Sequence, residues 1–151
     1  MLRQRLSEAL KEAMKARDKR AISTTRLIIA ALKDRDIAAR GRGQPDGIGE
    51  DDIQSLLRTM VKQRQEAIQL LEQGGRMELV EQEKEEIAVI QRFMPRQLSD
   101  DEIKAAVAGV IKELDAHSLK DIGRCMAALK ERHAGEMDFG KASGMVRQAL
   151  G

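Results

Sequence analysis

Apolar residues along this chain recur every three or four positions instead of alternating, which predicts helices throughout. Leu2, Leu6, Ala9, Leu10, Ala13 and Met14 share one face of a first helix, with Arg3, Arg5, Lys11 and Lys15 elsewhere on the wheel. Asp18 is placed to cap a second helix, whose centre at 27–32 (LIIAAL) is apolar on most sides. Such a segment is expected in the middle of a bundle. Residues 40–49 (RGRGQPDGIG) hold four glycines and a proline, which predicts a flexible loop. Beyond it, Glu50, Asp51 and Asp52 suit the positive end of a third helix, with Ile53, Leu56, Leu57, Met60, Val61, Ile68 and Leu71 on its apolar face. Gly74-Gly75 stops that helix, and so short a link predicts an antiparallel hairpin with a fourth. In the fourth helix Leu79, Val80, Ile87, Ile90 and Met94 point inward, and Pro95 ends it.

Ser99 and Glu102 form a capping box for a fifth helix reaching about Asp115. Ser118 with Asp121 caps a sixth, to about His133, and a last helix spans roughly residues 140–150. The second group of helices can bury Ile103, Val107, Ile111, Leu114, Ile122, Met126, Leu129, Val146 and Leu150. The fold class expected is all-α: a four-helix bundle-like domain over residues 1–95 and a small three-helix tail domain over 96–151.

Composition agrees with helix packing. There is no Trp, no Tyr and only two Phe, whereas sheets usually recruit aromatic residues. A single cysteine excludes an internal disulfide or a cysteine-rich zinc site. The longest apolar run, at 27–32, is far too short to cross a bilayer, and the N-terminus lacks a signal-peptide core. A cytoplasmic protein with no membrane partner is the expectation.

Charge is unevenly placed. Residues 1–46 carry 12 Lys/Arg against 6 Asp/Glu, residues 47–94 carry 6 against 10, and residues 95–151 carry 9 against 9. A basic first third can face a polyanion, or pair with the acidic middle third across a helix interface.

Candidate chemistry is sparse. His117 and His133 lie in no metal-ligand pattern, and Cys125 next to Met126 reads as a buried, inert thiol. The glycines of 40–49 precede an acidic helix start that would repel phosphate. Glu83 and Glu86, one helical turn apart beside the apolar stripe of the fourth helix, could hold a metal or do acid/base work. The simpler expectation is that they pair with Arg64 and Arg76 across the hairpin and fix its register. No catalytic residue, metal or cofactor is expected.

One pattern points to a partner. Lys19, Arg26, Lys33 and Arg40 recur every seven residues, about 20° short of two full turns, and so form a slanted basic stripe. Such a stripe can follow a nucleic-acid backbone without reading bases, or it can be a solvated or salt-bridged bundle face. Few aromatic side chains are available for stacking on unpaired bases, so a folded duplex or elbow is the RNA target expected.

Several ordered motifs carry a family resemblance. They are Lys62, Arg64 and Glu66, then Gly74-Gly75-Arg76, Leu79, Glu83, Glu86 and Ile90, then Phe93-Met94-Pro95 and Gln97-Leu98-Ser99. The tail adds Gly123-Arg124-Cys125-Met126, Gly135 to Asp138 and Val146 to Leu150, and the second helix adds Thr25-Arg26-Leu27-Ile28. Together these resemble the GatB/YqeY family, in its free-standing YqeY-like form, over nearly the whole chain.

The resemblance implies a larger N-terminal helical domain with a small tail, akin to the C-terminal part of the B subunit of glutamine-dependent tRNA amidotransferase. In that enzyme these regions contact tRNA and catalysis belongs to other domains. The family label would be carbon–nitrogen ligase with glutamine as amido-N-donor. It therefore implies a tRNA-binding or amidotransferase-associated module without chemistry of its own, its candidate contacts being Lys19, Arg26, Lys33 and Arg40 with Arg124, Lys130, Lys141 and Arg147 of the tail. The alternative is a protein-interaction module serving a partner of the translation machinery.

Overall fold

The computed structural model describes residues 1–151 and contains seven α-helices, one 3₁₀ turn and no strand. The chain divides into two compact units, Met1–Met94 and Pro95–Gly151. The first holds α1 (Leu2–Ala16), α2 (Lys19–Gly41), α3 (Glu50–Gln73) and α4 (Met77–Gln91). The second holds α5 (Asp100–Glu113), the 3₁₀ turn Leu119–Asp121, α6 (Ile122–Arg132) and α7 (Phe139–Leu150).

Local chemistry sets most of the helix ends. Asp18 caps α2, its carboxylate accepting from the Ala21 N–H at 3.1 Å. Gly75 supplies the left-handed residue (φ 71°) between α3 and α4, and Gly74 before it keeps helical angles. The amide of Leu2, at the start of α1, finds its acceptor far along the chain, on Glu50 Oε1 at 3.1 Å.

The core of the first unit is built from all four helices, with Leu6, Ile28, Ile53, Leu57 and Ile90 almost wholly enclosed. Burying five such side chains stabilises the unit by on the order of 10 kcal/mol before conformational entropy is set against it. The expectation for residues 27–32 needs correction. Ile28 and Leu32 are buried, but Leu27 is 48% exposed and Ala30 also faces solvent. α1, α3 and α4 all pack on α2 but leave these two positions uncovered.

In the second unit Ile103, Val107, Leu129 and Val146 are buried as the periodicity predicts, whereas Ile111, Leu114, Ile122, Met126 and Leu150 are only partly covered. Cys125 is a buried free thiol whose pKa burial pushes up. Met137, in the link between α6 and α7, is 1% exposed and plugs this small core. It lies outside any helix, where periodicity is silent. Leu98 N–H donates to Glu136 O at 2.8 Å, and Gln97 Nε2 to Gly135 O at 2.7 Å, so the segment ahead of α5 is stitched to that same link. The Ser118–Asp121 capping box opens the 3₁₀ turn that leads into α6.

Candidate nucleic-acid interface

Lys19, Arg26, Lys33 and Arg40 are all exposed on α2. From first to last they span about 32 Å of helix axis. Lys19, Arg26 and Lys33 have no acidic partner within 4.0 Å, and Arg40 gives its Nε–H to the Pro45 carbonyl at 3.3 Å. Four cations therefore keep their charge on one side of one helix. An anion following α2 meets them in turn without first breaking an ion pair.

The arginines that face inward are spent differently. Arg64, on α3, donates through Nε to Glu86 Oε2 at 3.1 Å and through Nη1 to Met60 O at 3.1 Å. Arg20, on α2, reaches the same helix from the other side, with Nε 3.0 Å from Glu85 Oε2 and Nη1 3.9 Å from Glu86 Oε1. Glu86 is thus a buried carboxylate held between two guanidiniums from two helices. A charge taken from water is tolerated only when it is paired in this way.

Two expected members of that cluster lie elsewhere. Arg76 is exposed at the start of α4 and meets neither carboxylate, because seven residues, two helical turns, separate it from Glu83. Glu83 has no arginine within ion-pair distance. Burial and the adjacent Glu86 carboxylate, with which it shares a hydrogen bond, push its carboxyl pKa up. Arg20 takes the place expected for Arg76. A residue signal for it exists in the sequence, since Arg20 starts the α2 face that continues at four-residue spacing into buried Thr24, Ile28 and Leu32.

The four tail cations are divided. Arg124 donates to Asp121 Oδ1 at 2.8 Å and to Leu114 O at 3.3 Å, and so belongs to the turn before α6. Lys141 Nζ lies 2.6 Å from Asp100 Oδ1, joining the first turns of α7 and α5. Lys130 and Arg147 are exposed and make no ion pair. Half of the tail set is neutralised within its own unit.

A third arrangement was missed from the sequence. Asp36, 5% exposed on α2, accepts from both terminal nitrogens of the Arg3 guanidinium and from the Ile48 N–H at 3.0 Å. Arg3 Nη2 also donates to Ile48 O at 2.6 Å. The loop between α2 and α3 is thereby pinned to both helices of the first hairpin. The Arg3 guanidinium, foremost, and the Ile48 amide hold the Asp36 carboxyl below its ordinary pKa range. Nothing in residues 40–49 alone announces this, because both charged partners lie outside the loop. No group of three or more His, Cys, Asp or Glu side chains converges as a metal site, and no helix is long and apolar enough to cross a membrane.

Residues 3–150 match the sequence profile of the YqeY-like protein family. Two curated relatives are each named altered inheritance of mitochondria protein 41, mitochondrial. The protein from Lachancea thermotolerans is 30% identical over 111 residues, covering 72% of this chain and 57% of the relative. The protein from Eremothecium gossypii is 30% identical over 148 residues, covering 96% of this chain and 78% of the relative. The chain thus spans little more than half the length of the first of these. It belongs to the YqeY-like family.

Proposed function

We propose that this YqeY-like chain is a non-catalytic helical module that binds tRNA or associates with an amidotransferase acting on it. In this reading the unit at 1–95 is a four-helix bundle that offers the α2 stripe, and 96–151 is a tail domain offering Lys130 and Arg147. One observation carries the reading: Lys19, Arg26, Lys33 and Arg40 are exposed along α2 and make no ion pair within 4.0 Å. Regularly spaced, exposed cations on one helix suit a phosphate backbone, and the absence of aromatic residues from the stripe suits shape recognition over base reading. The resemblance of its motifs to the B subunit of the glutamine-dependent enzyme supports tRNA as the polyanion. The cytoplasm is the proposed compartment; the relatives above carry "mitochondrial" in their names, and cell fractionation distinguishes the two.

The test is a gel-shift titration of tRNA at two salt concentrations. Four phosphate contacts imply roughly a 10²-fold loss of affinity between 50 and 200 mM salt. Reversing charge at Arg26 and Lys33 together should abolish the shift. Unchanged affinity in that variant, or no shift at low salt, would overturn the proposal.

A further inference from the structure

Between α1 and α2, on the side of the first unit that no helix covers, runs a groove of about 640 Å³. Its apolar surface comes from Leu10 of α1 and from Ile29, Leu32 and Ile37 of α2. Lys33 and Arg40 stand on the α2 wall, and the Arg3–Asp36 pair lines it as well. We propose that this groove docks an amphipathic helix of a partner protein, with carboxylates beside its apolar stripe.

Three observations lead there. First, the groove holds apolar surface that the fold does not use: Ile37 is 64% exposed, and Leu10 and Ile29 are only partly covered. Second, Ile29 and Ile37 of α2, eight residues apart, and Leu10 of α1 leave aliphatic surface along a trough between two neighbouring helices. A third helix laid along it would meet aliphatic side chains at its own three- and four-residue intervals. Third, the lining is net positive: Arg3, Lys33 and Arg40 stand against the single acid Asp36, which is engaged by Arg3 and the Ile48 amide, and neither Lys33 nor Arg40 makes an ion pair within 4.0 Å.

Lys33 and Arg40 are seven residues apart, about 10 Å along the axis, so the occupant should present acids two turns apart. No aromatic side chain lines the groove, which argues against a nucleobase as the occupant. The proposal goes beyond tRNA binding. It shares Lys33 and Arg40 with that reading but depends on Ile37 and Leu10, which the stripe does not use.

The probe is a fluorescein-labelled, lactam-bridged peptide of about 20 residues. It carries Leu at helical spacing and Glu at i and i+7, and its twin has Lys for Glu. With the full chain, fluorescence anisotropy should show the acidic peptide binding at least roughly tenfold more tightly than the twin. Ile37→Asp should cost about tenfold or more, and Lys19→Glu with Arg26→Glu should leave peptide binding intact while weakening tRNA. Because Ile37 is mostly exposed, the variant should melt like the parent; amide shifts on titration, confined to α1 and α2, locate the site in the unmutated chain.

Equal binding of both peptides, or of neither, overturns the proposal, as do shifts centred on α5 and α7. Self-association of the protein that Ile37→Asp abolishes would make a second copy the occupant. Loss of tRNA affinity in Ile37→Asp, with peptide binding unchanged, would assign the groove to RNA. Either result overturns the partner-helix proposal while leaving the stripe to its own assay.

Discussion

Asp36 occupies the space in which a side chain at Gly47 would begin: a Cβ there would lie 2.2 Å from Asp36 Oδ1. Gly47 is also left-handed, with φ at 80°. One glycine therefore lets the loop close over a buried carboxylate that itself holds Arg3 and the Ile48 amide.

Gly47→Ala should destabilise the first unit by about 2–3 kcal/mol, from left-handed strain and displacement of the Asp36–Arg3 pair. Urea unfolding of the variant measures this. Asp36→Ala should cost a similar amount alone, and the double variant less than the sum, because the clash disappears with the carboxylate. Strict additivity would show that the two residues are not coupled as described.

Thr24 is fully enclosed, and its hydroxyl oxygen has no hydrogen-bond partner. Thr24→Val keeps the branched shape and removes the uncompensated polar atom, so it should stabilise by about 1 kcal/mol. A thermal melt decides. A fall in Tm would mean the hydroxyl is satisfied, for instance by an enclosed water.

Glu83 bears on the pH dependence of the first unit. Burial, then the Glu86 carboxylate, raises its pKa above the ordinary 4.5. For a group raised on folding, the stabilising contribution is complete below its unfolded pKa and is lost as pH rises through the folded value. Glu83→Gln should therefore increase stability near neutral pH, and the gain should vanish below about pH 4. Chemical denaturation at both pH values tests it; a loss of stability at neutral pH would place Glu83 in a favourable ion pair instead.

The second unit should respond in the opposite sense. The Glu102 carboxylate is held at a pKa of about 2 by the Arg96 guanidinium first and the Ser99 amide next. Asp121 is likewise held at about 2 by the His117 amide and then Arg124. Depressed carboxylates stabilise fully above their unfolded values, 4.5 and 3.8, and the contribution is lost as pH falls through about 2. Amide NMR of α5 and of the turn before α6 should show these segments loosening over that window, less steeply for Asp121→Asn. Segments unchanged down to pH 2 would contradict the capping roles.

Much of the fold was legible because its causes are local. Asp18 and the Ser99–Glu102 box act on amides three residues away, and the Gly74-Gly75 stop acts within one turn. The stripe was legible for the same reason, since seven-residue spacing on one helix needs no tertiary knowledge. The groove was not, because residues apolar by pattern are read as core until it is known what packs on them. Ile37 and Leu27 are as apolar as buried Ile28 and Leu32, yet face solvent.

By itself the sequence determined an all-helical chain, the order of its helices, the family to which it belongs and which basic residues share a side of α2. Only the tertiary structure decided that Arg20, not Arg76, meets Glu86, that Asp36 is buried under a loop twelve residues on, and that α1 and α2 leave a trough uncovered. Helix formation is set by residues within four positions of one another. These other choices depend on where elements distant along the chain come to rest, and no local period encodes that.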